Sequence, residues 1–351
     1  MNEPDPQRHF SSLFCSFCPF FPPPLHFCSH PLSSHFPCTT TQEHIHTHIM
    51  LKQITLLHQL PRQFMPILTR SIATSTGKLT HPVSLSFTDT PKPSPQEHPR
   101  SQPIVVMHGL FGSKQNWKAL SKAMAHRLNT RVITLDLRNH GESGHSEEHD
   151  YANMVNDVVH FLKEQSVDKP IVIGHSMGGK VAMNLALKHA AHLDRLVVVD
   201  MAPVKVKLST EFAKYVGSMK EIQDANVKKQ SEADTIMKKT VSDLGVRQFL
   251  LTNLKRDATG DGYSFRIPFE TLGNSLEKLG HFDFVPGQDK FDGKVLFIRG
   301  VKSKYIMEKE MEAIRSFFPQ ARIESLDTGH WVHAEKPEEF LKLVTDFAIE
   351  K

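Results

Sequence analysis

The strongest constraint on this chain is a set of short, solid apolar runs: IVVMH (104 to 108), RVITLD (131 to 136), IVIGH (171 to 175), LVVVD (196 to 200) and VLFIRG (295 to 300). Runs so rich in Val, Ile and Leu do not alternate with polar residues, so strands built from them must be buried on both faces, as in a parallel sheet. VSLSF (83 to 87) does alternate and reads as an edge strand, and a last strand is expected over 321 to 326. Helical periods fill the intervals at 115 to 128, 151 to 165, 177 to 190, 306 to 318 and 337 to 349. Strand-helix alternation of this kind predicts an α/β layered fold, with a mostly parallel central sheet flanked by helices through right-handed crossovers.

One stretch breaks the alternation. Residues 204 to 290 are Lys-rich and helical in period, with no solid strand, and divide the expected core into 81 to 203 and 291 to 351. Ligands in open α/β sheets bind at the C-terminal edge of the strands, so an inserted helical cap at that edge walls a pocket. Its lysines, among them Lys205, Lys207, Lys220, Lys228, Lys229, Lys238 and Lys239, read as a solvated helix face.

The segments before the core have a different composition. Residues 1 to 49 are rich in Phe, Pro, Ser, His and Cys without either period, so they offer no face that a core could bury and read as a disordered extension. All four cysteines, Cys15, Cys18, Cys28 and Cys38, fall within it, so a disulfide-stapled fold does not describe the body of the chain. The cysteines and the histidines among them lack the paired clusters on turns that a zinc site needs. Residues 50 to 80 carry Lys52, Arg62, Arg70 and Lys78 and no acid, the basic and hydroxylated composition of a mitochondrial transit peptide. An address normally stands first, which points to translation from Met50 and a soluble matrix protein. Pro61 and Pro66 interrupt the apolar residues there, so no integral membrane span is expected. The 42 Lys and Arg nearly balance the 38 Asp and Glu and form no long run of one sign, which argues against nucleic acid as a partner. Oligomeric state is not readable from these residues.

The chemistry is concentrated where IVIGH runs into Gly174-His175-Ser176-Met177-Gly178 and then a helical period. This is G-x-S-x-G in the strand-turn-helix setting that it requires, and it singles out Ser176 as a nucleophile beside a helix N-terminus. A serine hydroxyl needs a histidine base and an acid that orients it. His330, in Gly329-His330-Trp331 between the last strand and the last helix, is the candidate base, and His333 reads as a packing or hydrogen-bonding partner. The loop after VLFIRG, Val301-Lys302-Ser303-Lys304-Tyr305, holds no carboxylate, so the acid is assigned to Asp200 at the tip of the neighbouring strand. Asp136 and Asp327 are weaker candidates. Two backbone donors are needed for an oxyanion, and Leu110 in His108-Gly109-Leu110-Phe111-Gly112 and Met177 after the nucleophile are named for it. Phe111 and His175 are expected to line the substrate pocket, and His108 to brace the loop. No metal and no cofactor are required.

Taken together, MHGLFGSKQNW, DLRNHGESGH, GHSMGGKVAM, VVVDMAP, VRQFLLTNL, RGVKSKYI and GHWVHAEKP resemble one branch of the α/β-hydrolases. That branch holds bacterial short-chain acyl esterases, the mitochondrial abhydrolase domain-containing protein 11 group and fungal relatives that include the ethanol acetyltransferases. The resemblance runs from about 82 to 350 and includes the cap. It implies the α/β-hydrolase fold and a triad acid after the strand that follows the nucleophile helix, which matches Asp200. GHSMGGK and DLRNHGES are closer to the abhydrolase 11 and esterase group. The implied function is cleavage of a small acyl ester or thioester through an acyl-serine intermediate. One alternative is alcohol O-acetyltransfer from an acyl thioester, and another is a non-catalytic binding partner of a mitochondrial enzyme. Dehalogenase and epoxide hydrolase chemistry is disfavoured, because those enzymes place an Asp where Ser176 stands.

Overall fold

The computed structural model describes residues 79–94, 102–208, 210–257 and 260–350. The extension over 1 to 49, with its cysteines, and the basic stretch from 50 to 78 lie outside them. In chain order the elements are β1 (Phe87–Thr90), β2 (Ile104–Met107), α1 (Lys118–Leu128), β3 (Val132–Leu135), α2 (Tyr151–Glu164), β4 (Ile171–His175), α3 (Met177–Lys188) and β5 (Arg195–Val199). Then follow α4 (Thr210–Asp224), α5 (Gln230–Lys238), α6 (Leu244–Leu251), β6 (Leu254–Arg256), β7 (Tyr263–Phe265), α7 (Phe269–Asn274) and α8 (Leu276–Gly280). The chain closes with β8 (Lys294–Gly300), α9 (Met311–Phe317), β9 (Ala321–Leu326), α10 (Val332–Glu335) and α11 (Pro337–Ile349).

Seven strands form one sheet in the order β1-β3-β2-β4-β5-β8-β9. Every pairing is parallel except that of β1 with β3. This is the α/β-hydrolase fold. Successive side chains of a strand face opposite sides of a sheet, and the solid apolar runs use both. Ile104, Val106, Ile171, Ile173, Val197 and Val199 pack with residues of α1 and α11 on one side. Val105, Met107, Val172, Leu196 and Val198 join residues of α2 and α3 on the other. Each large apolar side chain so buried contributes about 1.5–3 kcal/mol. The strand order reverses between β2 and β4, so their C-terminal ends open a crevice, the usual ligand position in such sheets.

Two elements depart from the sequence reading. The edge strand begins at Phe87 rather than at Val83, because the preceding backbone is bonded elsewhere. Val83 N–H donates to Asp157 Oδ1 (2.9 Å) and Ser86 N–H to Ser143 Oγ (2.8 Å), while the Ser86 carbonyl accepts from Asp136 N–H (2.8 Å). Within 204 to 290, β6 and β7 form a two-stranded antiparallel hairpin among the five helices α4 to α8. At three residues each, these strands are too short to show a period. Among the described residues no helix is long and apolar enough to cross a membrane.

A buried lysine ties α3 to the end of the inserted region. Lys180 is fully buried, and its Nζ donates to the carbonyls of Gly280 and His281 at 3.0 Å each, with Leu279 O at 3.4 Å. Among the described residues no carboxylate pairs with it at salt-bridge distance, and burial lowers its pKa to about 7. A lysine whose folded pKa lies below its unfolded value binds fewer protons in the native state, so the chain gains stability as pH rises between the two. The stability difference between wild type and Lys180→Met should therefore shift in favour of wild type from about pH 7 to about pH 10. Urea denaturation of both proteins across that range checks it, and a pH-independent difference contradicts it.

Candidate active site

Only one residue, Ser176, separates the end of β4 from the start of α3, and the chain must reverse direction there. Its backbone takes φ +54 and ψ −115, a conformation that L residues rarely adopt and that costs on the order of 1–3 kcal/mol. Close packing enforces it. A Cβ at Gly174 would lie 2.2 Å from the Gly178 carbonyl oxygen, and one at Gly178 would lie 2.6 Å from the carbonyl oxygens of Met107 and His108. With glycine at both positions, strand, helix and the end of β2 approach closely and lift Ser176 into the crevice at the sheet edge.

Asp200 follows β5, also with positive φ (+47), and is fully buried. Its Oδ1 accepts from Gly300 N–H (3.1 Å), and its Oδ2 accepts from the Ser303 hydroxyl and from His330 Nδ1 (2.7 Å). A carboxylate only accepts, so the contact assigns the proton to Nδ1 and leaves Nε2 of a neutral His330 as the basic nitrogen. The His330 carbonyl accepts from His175 Nε2 (3.0 Å), and the Tyr305 ring lies against the imidazole with centroids 4.2 Å apart. Burial, with help from Asp200, pushes the Tyr305 phenol up to about 12, so it stays neutral. One residue upstream, Gly329 N–H donates to Glu335 Oε2 (2.8 Å). Ser176 and His330 line the same cavity. The Ser176 hydroxyl makes no hydrogen bond among the described residues.

The two expected oxyanion donors, Leu110 and Met177, both line a recess beside Ser176. Met177 N–H belongs to the first turn of α3, where helix amides have no partner within the helix. The direction of Leu110 N–H follows from peptide planarity, because the Gly109 carbonyl in the same plane points the opposite way. That carbonyl accepts from Gly112 N–H (2.9 Å) and from His108 Nδ1 (2.8 Å). His108 is held in turn by Leu137 N–H on its Nε2 (3.0 Å). The next amide is occupied, since Phe111 N–H donates to His140 Nε2 (3.1 Å). The Phe111 carbonyl accepts from the side-chain amide of Asn253, which lies in the inserted region (2.8 Å). Downstream, Lys114 is anchored to Asp136 by its N–H and its Nζ, each at 2.6 Å. Burial lowers the pKa of His108, and those of His140 and His175 further, so these three brace the loops uncharged.

The shared cavity has a volume of about 440 Å³. Phe111, His175 and Trp117 line one part, and Phe212, Tyr215 and Phe249 from the inserted region another. His333 also lines it, stacked flat on Trp117 at 4.2 Å, and burial depresses its pKa to about 3. Asp136 and Asp327 are placed elsewhere, the first on Lys114 and the second in a surface pair with Lys302 (3.0 Å). Sequence reasoning did not identify Ser303, Tyr305 or Asn253. None of the three carried a signal, because a loop residue shows nothing in sequence of the partner that folding brings to it. Among the described residues no cluster of three or more His, Cys, Asp or Glu is arranged to hold a metal ion.

Residues 102–337 match the family model described as alpha/beta hydrolase fold. The chain is 39% identical over 249 residues to the sn-1-specific diacylglycerol lipase ABHD11 of Mus musculus, covering 70% of this chain and 80% of the relative. It is 36% identical to a probable alcohol acetyltransferase of Saccharomyces cerevisiae, covering 76% and 83%. Among solved structures, a marine microorganism esterase superimposes with a TM-score of 0.68 at 30% identity, over 76% of this chain and 99% of the other. If the site works as its geometry suggests, Asp200→Ala should lower kcat by roughly 10⁴-fold. Ser303→Ala removes one bond to a charged acceptor and should lower kcat roughly tenfold. KM should hardly change in either, and steady-state kinetics beside a thermal melt decide; an unchanged kcat in folded Asp200→Ala removes Asp200 from the site.

Proposed function

The chain belongs to the α/β-hydrolase fold family, and on that premise we propose that it is a serine esterase or thioesterase acting on short to medium acyl groups. The observation that carries this reading is the 2.7 Å contact of His330 Nδ1 with buried Asp200, beside a cavity that His330 shares with Ser176. In the proposed reaction His330 Nε2 takes the proton of Ser176 as its Oγ attacks the acyl carbonyl. The Leu110 and Met177 amides stabilise the oxyanion, an arrangement in which losing one donor typically costs roughly 10²–10³-fold in rate. His330 then protonates the leaving alcohol or thiol, which departs with formation of an acyl-Ser176. Water, deprotonated by His330, attacks the acyl-enzyme, and collapse of the second tetrahedral intermediate returns the proton to Ser176 and releases the acid.

A second reading is alcohol acetyl transfer, in which an alcohol replaces water in the last step. The size of the cavity and the likeness to a probable alcohol acetyltransferase favour it. A mitochondrial matrix location is proposed from the acid-free composition of residues 50 to 80 alone; import into isolated mitochondria with removal of that stretch tests it.

Wild type should label with a fluorophosphonate probe and cleave acyl esters or thioesters. Ser176→Ala should lose the label and roughly 10⁶-fold in kcat while melting like wild type. An ester product formed when ethanol is added points to transfer. Absence of labelling in folded wild type removes the enzyme reading and leaves a binding role for the fold.

A further inference from the structure

Ser176 lines two spaces. Besides the large cavity there is a recess of about 20 Å³, lined by the expected donors Leu110 and Met177 and by Tyr151, Met201 and Leu279 among others. Ser176, Leu110, Phe212 and Tyr305 line both spaces, whereas His330 lines only the large one. That asymmetry assigns direction to an acyl group on Ser176. The leaving alcohol or thiol must depart on the side of the base that protonates it, which is the large cavity. With the carbonyl oxygen toward the Leu110 and Met177 amides, the acyl chain is left with the recess.

The Leu279 wall of the recess is pinned from the core. Tyr151 on α2 donates its hydroxyl to the Leu279 carbonyl (2.7 Å), and Lys180 on the nucleophile helix α3 holds the carbonyls of Gly280 and His281 (3.0 Å each). Leu279 is itself buried, and the Lys180 ammonium lies 5.6 Å from the Tyr151 ring centroid, so the two clamping residues are neighbours. A fully buried lysine that binds only the backbone ending α8 takes no part in the proton transfers above. Fixing that wall relative to Ser176 gives it a role.

Resting on the esterase reading, we propose that this recess is the acyl-chain site, and that Lys180 and Tyr151 act as positioning residues that keep it short by clamping Leu279. A space of this size takes about one or two methyl-sized groups, since a single water already needs at least about 10–15 Å³. Acetyl and propionyl groups fit, and a longer chain must displace Leu279 or the methionines. The alcohol or thiol portion has the 440 Å³ cavity and is far less restricted.

The test is a p-nitrophenyl ester series from acetate through propionate, butyrate and hexanoate to octanoate, run on the full chain, Leu279→Ala and Lys180→Met. Wild-type kcat/KM should fall about tenfold or more from propionate to butyrate. Leu279→Ala should raise butyrate and hexanoate relative to acetate by about the same factor, and Lys180→Met should flatten the profile in the same sense. Fluorophosphonate labelling verifies that each variant keeps a working nucleophile, and Leu279→Ala decides alone if Lys180→Met does not fold. A wild-type profile that is flat or rises to octanoate overturns the recess assignment and leaves the esterase reading standing, as does an unchanged ranking in labelled Leu279→Ala. Cleavage of no ester and no labelling in folded wild type overturn both.

Discussion

A strand that ends at His175 and a helix that starts at Met177 leave one residue to turn the chain, and the rest of the site is arranged around that restriction. Ser176 is held at φ +54 because the glycines on either side let the backbones of β2, β4 and α3 come closer than side chains would allow. The stored strain, on the order of 1–3 kcal/mol, is small beside the burial of the strands that impose it. Phe111 (φ +62) and Asp200 (φ +47), at the ends of the neighbouring strands, also stand in the left-handed region. Three non-glycine residues in that conformation surround one crevice, and the N–H of each is bound to a fixed partner.

Those partners are largely uncharged. His108 orients the Gly109 carbonyl, His140 occupies the Phe111 amide and His175 holds the His330 carbonyl. Burial lowers the proton affinity of each, so three imidazoles serve as rigid, uncharged hydrogen-bonding links. His330 differs from them in facing a buried carboxylate. Geometry thus separates the imidazole that meets Asp200 from these three neighbours of the same residue type.

The sheet was legible because Val- and Ile-rich runs buried on both faces have few alternatives, and β2, β4, β5 and β8 lie within or across the predicted runs. Ser176 was legible because G-x-S-x-G carries its own stereochemical requirement. Asp200 could be named from the missing carboxylate near Lys304, but Ser303 could not, since a serine in a loop carries no mark of the acceptor that it will meet. Tyr305 and Asn253 were hidden for the same reason, as each acts across a long sequence separation on a group that only tertiary packing brings near. The hairpin of β6 and β7 was missed because three residues do not make a period. The small recess beside Ser176 is invisible in principle, because its walls come from α2, α3, the loops after β2, β5 and β8 and the inserted segment, which only tertiary packing brings together.

Inserted segments in layered folds are commonly treated as exchangeable parts that tailor a pocket while the scaffold beneath stays constant. The bond from Asn253 to the Phe111 carbonyl limits that modularity here. A foreign lid grafted onto this scaffold without an amide at the same place would leave the Phe111 carbonyl, next to the proposed oxyanion donor Leu110, buried and unpaired, at about 1–3 kcal/mol. Transplantation would then disturb the Gly109–Gly112 loop as well as the pocket's shape, so lid and scaffold form a matched pair that must be exchanged together.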